Sequence, residues 1–122
     1  MKDDYVSYWK KFGTNDIKTY KSIPLDQIIV QHGEGKYGVT LAYKHLKEGI
    51  RSLTPNDPVS VIYLLEENKF LLTDGYHRFV ESMLKKENNI MCMVDWKGFT
   101  LLYDVPKEER FIISEHLKKM LK

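Results

Sequence analysis

The sequence contains one cysteine and no long apolar run, and each shortage excludes a class of protein. Cys92 alone cannot form an internal disulfide, so we expect a reducing compartment and a buried thiol within the apolar stretch around it. No stretch approaches the roughly 20 apolar residues that span a bilayer, and the N-terminus lacks the apolar core of a signal peptide. The sequence therefore predicts a cytoplasmic protein with no membrane partner.

A strong net charge is also missing. The 19 basic and 17 acidic side chains are interspersed and leave a formal net charge of +2, so charge alone implies neither a nucleic acid nor a membrane surface. With 122 residues, 43% of them hydrophobic, the chain can bury one core, and we expect residues 1–122 to form a single domain. The G-x-x-x-x-G-K-[ST] phosphate loop is absent.

The spacing of apolar residues predicts an α/β (α+β) fold with a small mixed sheet packed with helices. In chain order we expect an N-terminal helix (Tyr5, Tyr8, Trp9 and Phe12 on one face), a strand at 23–30, a glycine-rich segment at 31–38, a helix at 39–50, hairpin strands at 59–65 and 70–73, a helix after Gly75, a strand at 90–94, a turn at 95–98, a short strand at 99–103 and a helix from Pro106. Two interpretations of segment 31–38 stay open: a mobile loop over a ligand, or an ordinary connection.

The most informative segment is a compact block of five residues, Asp74, Gly75, Tyr76, His77 and Arg78. An apolar run precedes the block and an amphipathic run follows it, which predicts a strand, a tight turn and a helix. Gly75 can adopt a positive φ or let an anion approach the backbone, and the first amides of the helix point to the same place. A phosphate is favoured there, and a guanidinium and an imidazole in the first helical turn can add donors.

Taken singly, each residue of the block also fits an ordinary role. Asp74 can cap the helix through its side chain, because Asp before Gly is a common turn. His77 can be a surface histidine, and Arg78 can be a solvated side chain paired with Glu81 or Glu66. Only the whole block in its strand-to-helix context favours an anion site.

The block and the elements around it resemble the ParB/sulfiredoxin superfamily, whose members carry a D-G-x-x-R or G-x-x-R block where a strand opens into a helix. The resemblance covers about residues 22–95 and is to a stand-alone ParB N-terminal-like domain without the partition protein's DNA-binding domain. It implies that a nucleotide, ATP, ADP or CTP, with or without Mg²⁺, lies with its phosphates on Asp74, Gly75, Tyr76, His77 and Arg78.

Branches of the superfamily differ in chemistry. Sulfiredoxins carry a catalytic cysteine where this chain has Tyr76, so repair of sulfinic acids is not expected. Partition proteins bind CTP through G-E-R-R-like residues, of which this chain keeps Gly75 and Arg78. ADP-dependent free serine kinases resemble the chain in their D-G-x-T-R block and in an acidic base after the first strand.

The kinase resemblance supplies the catalytic candidates. Glu34 falls where the kinases carry the base, and His77 replaces their threonine. A carboxylate there can accept a hydroxyl proton during phosphoryl transfer, while Asp74 orients a ribose hydroxyl or Mg²⁺. Glu34 in a glycine-rich segment also fits a merely solvated side chain.

Two hypotheses follow. The first is a nucleotide-binding protein with NTP hydrolysis or phosphoryl transfer as its activity. The alternative is a DNA-binding or nuclease module, or a protein-interaction module of a phage or mobile element without catalysis. A nuclease would need clustered carboxylates for a metal, and Asp74 with Glu34 or Glu81 are the candidates. The sequence does not decide whether the protein is an enzyme.

Overall fold

The computed structural model describes residues 8–11, 18–50, 57–102 and 110–121. Within these ranges the chain forms strands β1 (Tyr8–Lys11), β2 (Lys18–Pro24), β3 (Ile28–Gln31), β4 (Val59–Leu64), β5 (Lys69–Asp74), β6 (Asn89–Leu102) and β7 (Phe111–Ile112), helices α1 (Glu34–Lys47), α2 (Tyr76–Leu84) and α3 (Ser114–Met120), and a 3₁₀ turn at Leu25–Gln27. The predicted α/β (α+β) class is confirmed, since one mixed sheet carries the helices.

The sheet is organised around β6, a strand of 14 residues. Along one side, β6 pairs with β2 through its first half and with β1 through its last four residues, both antiparallel. Along the other side it pairs with β4 in parallel, and the order continues through β5 and β3 to β7. β4 and β5 form an antiparallel hairpin, whereas β3 runs parallel to β5. The neighbouring parallel strands β3 and β5 position the candidate site.

Helices α1 and α2 cover one face of this sheet, because each presents apolar residues at helical spacing. The buried positions of α1 are Gly35, Val39, Ala42 and Leu46, and those of α2 are Phe79, Val80, Ser82 and Met83. They pack on strand residues such as Val59 and Val61 of β4, which are 0% and 1% exposed. Cys92 belongs to the same core, so the predicted buried thiol is confirmed. No helix in the described ranges is long and apolar enough to cross a membrane.

The first part of the chain differs from the prediction in two ways. Residues 8–11 form strand β1 rather than part of a helix, because aromatic side chains suit a pleated strand and β6 supplies a partner; Tyr5 and Phe12 lie outside the described residues. The single strand predicted at 23–30 is two strands, β2 and β3. The break falls at Pro24, which has no amide to donate, and at the 3₁₀ turn that follows it.

The glycine-rich segment 31–38 is not a mobile loop, and the ordinary connection predicted there is confined to two residues. Only His32 and Gly33 form a turn, and α1 begins at Glu34. Glycine is compatible with the helix here because packing requires it: a Cβ at Gly35 would lie 3.0 Å from Cβ of Val30. Close approach of the helix to β3 outweighs the low helix propensity of glycine.

The later elements are partly confirmed. The hairpin strands and the helix after Gly75 form as predicted, as β4, β5 and α2. Segment 95–98 is not a turn, because β6 continues through it and accommodates a register shift against β4. The last helix begins at Ser114, after the short strand β7. Pro106 lies outside the described residues.

Candidate functional site

Two matched strand–glycine–helix units meet at one edge of the sheet. In the parallel pair β3 and β5, Ile29 lies opposite Leu71. Gly33 follows Ile29 by four residues and Gly75 follows Leu71 by four residues, and each glycine has a positive φ, 82° and 90°. A helix begins at the next residue in both cases. The carboxyl ends of parallel strands are where ligands bind in many α/β sheets, so this edge is the candidate site.

Neither helix start is capped by a side chain. Gly33 and Gly75 are the N-cap residues, and no side-chain hydrogen bond caps α1 or α2. The first bonds of the helices run from the Tyr37 amide to the Gly33 carbonyl (2.8 Å) and from the Phe79 amide to the Gly75 carbonyl (2.9 Å). The amides before them point out of each helix and carry its positive dipole end. Capping by Asp74 is therefore the wrong interpretation of that residue.

Gly75 occupies a position that no other residue fits without strain. Its φ of 90° confirms the predicted positive φ. A Cβ there would lie 2.8 Å from Cγ1 of Val59 and 2.8 Å from Nη2 of Arg78. The backbone turn and the close packing on β4 thus both require glycine.

Arg78 has a structural partner. Its Nη2 donates a hydrogen bond of 2.7 Å to the carbonyl of Pro58, the residue before β4. The side chain also lines a polar cavity of about 370 Å³ together with Asp57, Glu81 and Lys85. Arg78 therefore ties the start of α2 to the start of β4, and the cavity that it lines contains neither Asp74 nor His77.

Tyr76 links the two strand–glycine–helix units. Its ring packs on α1 so closely that a Cβ at Gly38 would lie 3.1 Å from three ring carbons. Its hydroxyl donates a long hydrogen bond of 3.4 Å to the Leu72 carbonyl. Burial raises the pKa of Tyr76, and the negative charges of Glu34 and then Asp74 raise it further. Glu34 from α1 and Asp74 from β5 therefore lie near one phenol, and both carboxylates are exposed.

His77 contacts His45 of α1, a residue that was not among the predicted site residues. The Nδ1 of His45 and the Nε2 of His77 are 3.1 Å apart, whereas the ring centroids are 5.2 Å apart with 18° between the planes. The nearly coplanar rings thus meet edge to edge. A signal for His45 existed: it follows Gly38 by seven residues, which puts both on one face of α1 beside the apolar positions.

The five-residue block is thus divided among three neighbourhoods. Tyr76 lies with Asp74 and Glu34, His77 bonds to His45, and Arg78 bonds to Pro58. Among the described residues, no group of three or more His, Cys, Asp or Glu side chains could hold a metal ion. Any metal at the edge must therefore draw most of its ligands from elsewhere.

Comparison with protein-family models finds no match to this chain, and comparisons with curated proteins and with solved structures find none either. Membership of the ParB/sulfiredoxin superfamily consequently stays a prediction.

Proposed function

We propose that this protein is a ParB/sulfiredoxin-like nucleotide-binding protein that holds the phosphates of a Mg²⁺-bound nucleotide at the sheet edge formed by Gly33 and Gly75. The observation that carries the proposal is the register-matched pair of uncapped helix starts behind two positive-φ glycines. Backbone amides at a helix start bind phosphate oxygens, and two such starts at one edge suit a chain of phosphates.

The charges near the edge favour a nucleotide that carries Mg²⁺. Glu34 and Asp74 are exposed carboxylates near Tyr76, and alone they repel phosphate. Mg²⁺ is typically bound by one or two carboxylates together with substrate phosphates, which fits a site with two carboxylates and no third protein ligand. When bound, the metal would neutralise phosphate charge. The two carboxylates would hold it in place.

The role of Arg78 differs from a simple phosphate clamp. Because its Nη2 bonds to the Pro58 carbonyl, Arg78 stabilises the turn at Gly75 by tying the start of α2 to the start of β4. Loss of nucleotide binding in Arg78→Ala would thus report either a lost phosphate contact or a displaced turn. A test of the site needs a residue whose removal leaves the turn intact.

Asp74 is that residue, because it is exposed and does not cap α2. We would titrate wild type and Asp74→Asn calorimetrically with ATP, ADP and CTP, each with and without Mg²⁺. With Mg²⁺ we expect Asp74→Asn to bind at least about tenfold more weakly, since a metal ligand is lost. Without Mg²⁺ we expect the variant to bind at least as well as wild type, because a repelling charge is gone.

The matched control is Asp26→Asn, which neutralises an exposed aspartate in the 3₁₀ turn before β3, at the opposite end of that strand. Its nucleotide affinity should equal that of wild type. A nucleotide that binds Asp74→Asn and wild type equally under both conditions would contradict the site. Absence of any nucleotide binding by wild type would redirect the search to the alternative, a DNA-binding, nuclease or protein-interaction module.

Turnover would use Glu34. It is the first residue of α1, and its charge reaches Tyr76 beside Asp74. A carboxylate at this position can accept the proton of an attacking hydroxyl group or water once the substrate lies within hydrogen-bond reach. Because Glu34 would also hold Mg²⁺, Glu34→Gln should weaken binding of the Mg²⁺-bound nucleotide as Asp74→Asn does. It should also lose phosphate release at saturating nucleotide in a coupled assay, whereas Asp74→Asn should retain some release.

A further inference from the structure

The contact between His45 and His77 joins two helices through a pair of ring nitrogens. The two nitrogens are 3.1 Å apart, and the rings are nearly coplanar and meet edge to edge. Both side chains are only partly buried. Histidine is the commonest protein ligand for transition metals, and it binds through either neutral ring nitrogen.

We infer that His45 and His77 form a binding site for a transition-metal ion such as Zn²⁺ or Cu²⁺, with Nδ1 of His45 and Nε2 of His77 as its protein ligands. This site is distinct from the carboxylate pair assigned to Mg²⁺ and does not depend on the proposed nucleotide function.

The spacing of the nitrogens is the first support. Two nitrogens bound at about 2.0–2.1 Å to one metal ion lie about 2.9 Å apart at a right angle and about 3.3 Å apart in tetrahedral geometry. The observed 3.1 Å falls between these values. A shared metal ion would lie off the line between the two nitrogens, so binding requires each ring to rotate until its lone pair points at the ion.

The hydrogen bonding of the two imidazoles is the second support. As a hydrogen-bonded pair, one nitrogen must donate a proton and the other must accept it. Within the described residues, the mutual bond is the only hydrogen bond that either ring makes. The facing nitrogen of the accepting ring already has a lone pair, and the donating ring can move its proton to its other nitrogen, so that both facing nitrogens offer lone pairs to a metal.

The ligand count fixes the expected affinity and selectivity. The described part of the chain contains no cluster of three or more candidate ligands, so water would complete the coordination. Affinity should then be well below that of a structural zinc site with four protein ligands. Imidazole ligands favour Cu²⁺ over Zn²⁺ and discriminate against Mg²⁺, which prefers oxygen.

The test is a calorimetric titration of the nucleotide-free protein with Zn²⁺, and separately with Cu²⁺, in the presence of excess Mg²⁺. We expect one ion bound per chain, tighter for Cu²⁺, with no displacement by Mg²⁺. His45→Asn and His77→Asn should each weaken binding at least tenfold. His116→Asn is the control, because His116 is exposed on α3 and outside the pair, and it should bind as wild type does.

A second measurement, made on wild type, tests the inference if the histidine variants fail to fold. Substoichiometric Cu²⁺ should broaden the ring proton signals of His45 and His77 in the NMR spectrum of wild type before those of the other histidines. The inference is overturned if the signals of His32 or His116 broaden first, or if either pair variant binds Zn²⁺ as tightly as wild type. Because no nucleotide is present, either result leaves the proposed function untouched.

Discussion

Replacing Gly75 by alanine should destabilise the protein through two separable costs. The first is conformational, since its φ is 90° and an L-residue in this region costs about 1–2 kcal/mol. The second is steric, because the new Cβ would lie 2.8 Å from Cγ1 of Val59 and from Nη2 of Arg78. Overpacking of this kind costs about 1–3 kcal/mol, so we expect a total loss of about 2–5 kcal/mol.

Gly49 supplies the matched control. Its φ is 83°, nearly the same as that of Gly75, but a Cβ there would have nothing within 4 Å. Gly49 follows the last turn of α1 in a Schellman arrangement, in which its amide bonds to the Leu46 carbonyl and the Ile50 amide bonds to the His45 carbonyl. Gly49→Ala should thus cost only the conformational component, about 1–2 kcal/mol.

Urea denaturation measures both losses. With a slope of about 1–3 kcal/mol per M, an extra 2 kcal/mol in Gly75→Ala lowers the midpoint by roughly 1 M relative to Gly49→Ala. Val59→Ala in the Gly75→Ala background removes Cγ1, so the double variant should lose less stability than the sum of the two single variants. Equal midpoints for the two glycine variants, or strict additivity with Val59→Ala, would refute the steric argument.

Three further outcomes follow from the structure. Lys86 follows the C-cap residue of α2 and has a φ of 59°, so Lys86→Gly should raise the free energy of unfolding, measured by urea denaturation, by about 0.5–1 kcal/mol. Burial raises the pKa of Tyr76 in the folded protein above its ordinary value of 10.0, so the unfolded chain releases the phenol proton first as the pH rises. Wild type should therefore lose more stability than Tyr76→Phe as the pH rises above about 10, and equal losses would contradict this. Burial raises the pKa of the Cys92 thiol to about 12, so a thiol reagent should label it only at the rate of unfolding, and rapid labelling of the native protein would contradict its burial.

The sequence predicted best where local and tertiary signals agreed. The block at 74–78 combines a turn residue with apolar runs of different period on either side, and the predicted strand, turn and helix all form. β4 and β5 likewise carry their own alternation and a polar tip. The α/β (α+β) class follows from these elements alone.

Prediction failed where packing between distant segments overrides local preference. Strand β1 depends on β6, which lies about 90 residues further along the chain, and helical spacing of aromatics could not reveal that partner. The glycines of 31–38 predict a loop by composition, yet Gly35 and Gly38 serve as points of close approach to Val30 and Tyr76. The pairing of His45 with His77 is equally non-local.

Helix α1 is the element that changes the interpretation of the site most. A loop carrying Glu34 would have to close before its carboxylate met a ligand, whereas the first residue of a helix is held by the packing of that helix. Gly38 fixes α1 against Tyr76, and His45 fixes it again against His77 at the same helix start. The backbone at Glu34 and the backbone at Asp74 are thus fixed relative to each other before any ligand binds, and binding to a preorganised backbone costs little ordering free energy. Nucleotide binding should therefore depend on the charges at this edge rather than on closure of segment 31–38.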